Sequence, residues 1–114
     1  MEADAAASTP ADDRLYMSLA LEQARLAADA QEVPVGAVLV SGSGELLASA
    51  HNMTVSTQSP LAHAEMLCIQ AATQQQQGWR LLQATLYTTL EPCPMCAGAI
   101  LQSRCAPLFV GGGG

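Results

Sequence analysis

No lysine occurs anywhere in the chain, and its four arginines face ten carboxylates, leaving a formal net charge of −6. That balance argues against a broad surface for phosphate backbones, whose affinity rests on clustered cations. Long apolar runs are missing too. The longest, "VPVGAVLV" at 33–40, falls far short of the roughly 20 residues of a membrane helix. The chain does not open on a short cationic and then apolar stretch, so no secretory signal is read. Glu2, Asp4, Asp12 and Asp13 are unlike an arginine-rich organelle leader. The expectation is a cytoplasmic protein, or an organellar one if further sequence precedes Met1. Without a secretory signal, the four cysteines read as metal-binding or catalytic rather than as disulfides. Charged residues are only 12 % and hydrophobic residues 50 % of the 114, which suits one domain with a buried core.

Residues 1–11, "MEADAAASTPA", are small and acidic and read as a disordered tail. From Asp12 or Asp13 an amphipathic helix is predicted to about Ala30, with Leu15, Leu19, Ala20, Leu26 and Ala27 as its apolar face. "PVGAVLV" is apolar throughout, as a strand covered on both faces must be, and "SGSG" at 41–44 joins it to "ELLASAH" in a hairpin. Residues 52–62 are turn formers. "HAEMLCIQAATQQQQ" predicts a helix ended by Gly78, with the glutamine run as its solvated end. "ATLYTTL" is a strand by composition, a helix follows from Pro92 to about Ser103, and "PLFV" is a short last strand whose Pro107 suits an edge. The order α-β-β-α-β-α-β predicts helices packed on a mixed sheet.

Two short motifs carry chemistry: "HAE" at 63–65 and "PCPMC" at 92–96. At the start of a helix, Cys93 and Cys96 lie about 60° apart around its axis, so both sulfurs face one way. The helix N-terminus favours their thiolates. A catalytic zinc takes three protein ligands and keeps a fourth position for water, so the two thiolates and one imidazole suffice, and His63 is the obvious imidazole. In a regular helix Glu65 is rotated roughly 200° from His63, which takes it out of the ligand set and leaves it to move protons. A carboxylate beside a zinc-bound water accepts its proton, lets hydroxide attack, and returns the proton to a ring nitrogen or to departing ammonia. His-x-Glu followed by Pro-Cys-x-x-Cys is the signature of the zinc nucleobase deaminases. A thioredoxin-like redox pair would have no need of "HAE". His51, Cys68 and Cys105 read as structural. Asn52 is either a base contact or a turn residue. Trp79 with Arg80 reads as closing a helix end beneath a loop rather than stacking on a nucleotide.

Beyond that signature, "EVPVGAVLV" at 32–40, "HN" at 51–52, "AHAE" at 62–65 and "ATLYTTLEPCPMCAGAILQSR" at 84–104 resemble the bacterial-type tRNA adenosine deaminases of the cytidine/deoxycytidylate deaminase superfamily. The resemblance implies an α/β fold of the cytidine-deaminase-like α/β/α layered kind with a central mixed sheet. Residues 12–110 would be the zinc-dependent deaminase domain and 111–114 a glycine tail. It also implies one zinc per chain with a bound water or hydroxide, held by His63, Cys93 and Cys96, and Glu65 as the catalytic proton shuttle. Asn52 and the backbone around Val33 and Ala64 would hold a flipped-out adenine. The implied activity is hydrolytic deamination of the wobble adenosine of tRNA to inosine. The implied partners are the anticodon loop and, in a homodimer or heterodimer, a related deaminase subunit. Family members continue past the last strand into a further strand and basic helices. With "PLFV" running into "GGGG", the C-terminal strand and helices are expected to be missing and RNA binding weak. A deaminase of a free nucleobase or nucleoside (cytosine, guanine or cytidine) and a non-catalytic zinc-binding partner subunit stay open as alternatives. An intact Glu65 argues against the second.

Overall fold

The computed structural model describes residues 10–109. Helix α1 (Pro10–Asp29) opens on a proline, which needs no amide hydrogen at the first helical position, and carries Asp12 and Asp13 in the first turn, where the helix end is positive. It starts ahead of the predicted Asp12, so residues 10 and 11 belong to the helix and not to a tail. The rest of the expected tail, and the glycine tail, lie outside the described residues.

There follow β1 (Gly36–Val40), β2 (Leu46–His51), a short α2 (Thr54–Thr57), α3 (Ala64–Gln76), β3 (Thr85–Thr88), α4 (Pro94–Ser103) and β4 (Ala106–Phe109). The sheet order is β2-β1-β3-β4. β1 runs antiparallel to β2 and β3, and β4 parallel to β3, which makes the sheet mixed as expected. Only α2 was not anticipated. The hairpin turns at Gly44, whose φ of 89° is a conformation other residues avoid. Pro107 sits on the edge strand β4, where its missing donor breaks no ladder on the open side.

Every residue of β1 is buried. Successive side chains of a strand serve opposite faces, so β1 feeds two cores. Ala37 and Leu39 pack with Ala64, Cys68 and Ala72 of α3 and Ile100 of α4. Val38 and Val40 pack with Met17 and Ala20 of α1 and with Tyr87 of β3. Helix α1 therefore covers one face and α3 with α4 the other, the α/β/α layering expected. The buried Tyr87 ring meets Tyr16 at 5.3 Å between centroids, and its hydroxyl donates to Asp13 at 2.6 Å.

The packed face of α1 keeps Ala20 and Ala27 of the expected set but not its leucines. Met17, Ala20, Ala24 and Ala27 are buried, whereas Leu15, Leu19 and Leu26 are exposed. Gly36 supplies the reason. A Cβ there would run into the carbonyl oxygen of Ala20 and lie 2.5 Å from the Ala24 nitrogen. Helix backbone rests on strand backbone, with room for alanines but not leucines. Gly36→Ala is expected to lever α1 off the sheet and cost about 3 kcal/mol, the upper end for overpacking, because the clash is with main chain. Urea unfolding should show a lower midpoint at an unchanged slope.

Candidate metal centre

His63 and Cys93 each occupy the position just ahead of a helix, α3 and α4 respectively, with extended backbones at ψ 151° and 171°. Neither side chain caps its own helix, so both are free to turn inward. His63 Nδ1 lies 3.6 Å from Cys93 Sγ and 3.5 Å from Cys96 Sγ, and the three donor atoms fall within 4.8 Å of one another. A nitrogen and a sulfur bound tetrahedrally to zinc at their usual lengths stand about 3.6 Å apart, so the donor set fits that ion. Both helix N-termini, with their unpaired amide hydrogens and positive dipole ends, converge on the site. Burial pushes the Cys96 thiol up, and the neighbouring Glu65 and Cys93 push the same way. A bound dication reverses that logic and deprotonates a coordinating thiol.

Glu65 lies in the first turn of α3 and is 4 % exposed. The rotation argued from a regular helix does not apply to it, because His63 precedes α3 and is extended. Glu65 nevertheless stands outside the three-donor cluster. Beside that cluster opens a cleft of about 210 Å³ lined by His63, Glu65, Cys93, Asn52, Val33 and Thr54, among others. It is smaller than the roughly 300–1,000 Å³ of drug-sized sites and suits one planar ring. Asn52 and Val33 thus share the cleft with the cluster. Ala64 is fully buried and does not line it. As the first residue of α3, Ala64 offers an amide hydrogen with no acceptor inside the helix.

Cys68 is buried with its sulfur 3.6 Å from the Ala37 carbonyl and 3.5 Å from that of Ala48, and Cys105 Sγ lies 3.4 Å from Ser103 Oγ. His51 Nδ1 stays 3.0 Å from the Asn52 carbonyl. None of the three enters the cluster. Trp79 does not pack beneath a loop: it is 57 % exposed, with the Arg80 guanidinium 5.0 Å from its ring centre. The end of α3 is closed instead by Gln76, whose side-chain amide donates to the carbonyls of Gly78 and Arg80, a role the glutamine run did not announce. Sequence reasoning also passed over Glu32 and Thr54. An acid between a helix end and an apolar strand looks like an ordinary surface residue until the fold buries it.

A mixed sheet that presents two helix N-termini, with one histidine, two cysteines and a buried glutamate between them, defines a domain of the zinc-dependent deaminase class. The family model of the cytidine and deoxycytidylate deaminase zinc-binding region matches residues 10–111, and the chain belongs to that family. The tRNA-specific adenosine deaminase of Bacillus subtilis (strain 168) is 52 % identical over 99 residues, which is 87 % of this chain and 61 % of that protein. The chain therefore spans about six tenths of this relative's length. A structure solved in studies of A-to-I editing by tRNA:A34 deaminases at the wobble position superposes with a TM-score of 0.81 at 42 % identity, covering 84 % of this chain and 74 % of that one. Guanine deaminase from Bacillus subtilis superposes with a TM-score of 0.83 at 33 % identity, covering 87 % and 64 %. Among the described residues no helix is long and apolar enough to cross a membrane.

Proposed function

We propose that this chain is the catalytic domain of a tRNA adenosine deaminase, hydrolysing the wobble adenosine to inosine and ammonia. The observation that carries the reading is the meeting of the three zinc-type donors and a buried Glu65 at one base-sized cleft. The substrate class is supported by greater identity, in structural superposition, to the tRNA:A34 deaminase structure, 42 %, than to guanine deaminase, 33 %. Zinc, which His63, Cys93 and Cys96 would hold, would supply the acidity that makes water a nucleophile at neutral pH. The Glu65 carboxylate accepts a proton from the attacking water and hands it on to the departing amino group. Asn52, with the backbone of Val33 and Ala64, holds the ring in place. The base must leave its stack, because a carboxylate buried at the foot of a cleft cannot reach a stacked adenine.

The anticodon loop and a second deaminase chain are the partners of this reading, and the cytoplasm its place. An apolar groove of about 570 Å³, lined by Leu61, Ala62, Met66, Leu67 and Ile69 among others, supports the second partner by offering a surface next to His63. The test is incubation of zinc-loaded protein with an anticodon stem-loop, scoring inosine by mass. Inosine at the wobble position is the expected product. Conversion of free guanine with no change in the stem-loop would select a free-base deaminase instead, the reading favoured by the equally close superposition on guanine deaminase.

A further inference from the structure

We infer that Glu32 is a positioning residue for base recognition, its carboxylate fixing the side-chain amide of Asn52 and the segment that carries Thr54 in the wall of the cleft. The inference rests on the reading of Asn52 as a base contact. Glu32 lies between α1 and β1 and is 6 % exposed. Its Oε1 accepts from Asn52 Nδ2 at 3.4 Å and from the Val55 amide at 3.0 Å, and its Oε2 accepts from the Ser56 amide at 2.6 Å. No basic side chain pairs with it among the described residues. Its partners are the two backbone amides and the side-chain amide of Asn52, all neutral donors.

The chemistry of the contact decides the orientation of Asn52. An ionised carboxylate only accepts, so the atom of Asn52 that faces it is the amide nitrogen. Burial raises the Glu32 carboxyl, and the hydrogen bonds from Val55, Ser56 and Asn52 outweigh it and hold the group below the usual carboxylate range, so it is ionised at neutral pH. Asn52 Nδ2 donates also to Thr54 Oγ1 at 3.0 Å. Both amide hydrogens are thereby engaged, and the side-chain carbonyl of Asn52 is left without a partner among the described residues. Asn52 and Thr54 line the same cleft as His63 and Glu65. One carboxylate on the far side of Asn52 thus settles which end of the amide the cleft presents.

The sequence contains a single asparagine, Asn52, so labelling with ¹⁵N-asparagine reports one side-chain amide and no other. In the zinc-loaded wild-type chain its two protons should be well separated and protected from exchange. Glu32→Gln keeps the shape but presents a donor as readily as an acceptor, so the pair should shift and lose protection. Zinc content should be unchanged, and kcat/KM on the stem-loop should fall about 10–100-fold, the size expected from losing a hydrogen bond to a charged group. Glu32→Asp, which keeps the charge, should recover part of both signals and guards against a glutamine variant that does not fold. Asn52 resonances in Glu32→Gln that superpose on the wild type would overturn the inference. So would an unchanged kcat/KM in a variant whose Asn52 resonances have moved. A wild-type chain that edits no stem-loop counts against the proposed function, while the resonance comparison still decides whether Glu32 holds Asn52.

Discussion

Glutamine in place of Glu65 is expected to leave zinc bound and to lower kcat on an anticodon stem-loop by about 10²–10⁴-fold, the usual worth of general acid–base help. The amide keeps the volume of the carboxylate, so packing at the first turn of α3 is preserved. It cannot accept a proton, and no other carboxylate stands among the three donors to take over the role. Metal binding should be spared because Glu65 stands outside the group formed by His63, Cys93 and Cys96. Zinc analysis beside steady-state rates checks both halves at once. A fully active variant, or one whose activity falls only in step with its zinc, would remove Glu65 from the proton path.

Cys96→Ser should abolish both zinc binding and turnover. Cys96 is fully buried and its sulfur is one of two that face His63 Nδ1, so the substitution exchanges a thiolate for a poor ligand and leaves Cys93 as the only thiolate there, since neither Cys68 nor Cys105 enters the cluster. The control is Cys68→Ser, which alters a sulfur directed at the Ala37 and Ala48 carbonyls and should keep its zinc at a modest cost in stability. Chelation of the wild-type chain should lower its thermal midpoint, since a ligand at 100 times its Kd stabilises the native state by about 2.7 kcal/mol. Zinc retained by Cys96→Ser, or lost from Cys68→Ser, would place the metal elsewhere.

The elements of the sheet and the helices bearing "HAE" and "PCPMC" were legible because their signals are local: a both-faced apolar strand, a proline at a helix start, two cysteines one turn apart. That His63 would meet them followed from what zinc asks of its ligands. The face of α1 was legible only in part: Ala20 and Ala27 are buried as expected, but periodicity also weights large side chains, and the leucines are exposed because the contact is made by alanines seated against Gly36. Helix α2 was missed for a different reason. Its four residues form no apolar stripe, and the amides of Val55 and Ser56 find their acceptor in Glu32, more than twenty residues earlier in the chain. Glu32 opens the motif "EVPVGAVLV", but no local pattern announces its role; only the fold turns an acid at a helix end into a buried acceptor.

The separation of the donors along the chain bears on how the domain assembles. Cys93 and Cys96 come together as soon as the first turn of α4 forms, but His63 lies 30 residues before Cys93, across α3 and β3. Closing a span of that length costs a flexible chain about 3 kcal/mol beyond a constant, and contacts so distant in sequence are made late in folding. The three-donor site therefore exists only in a chain whose α3 and β3 have packed, whereas the two thiols alone stand within one helical turn of each other. Tight metal retention then marks the molecules that have finished folding.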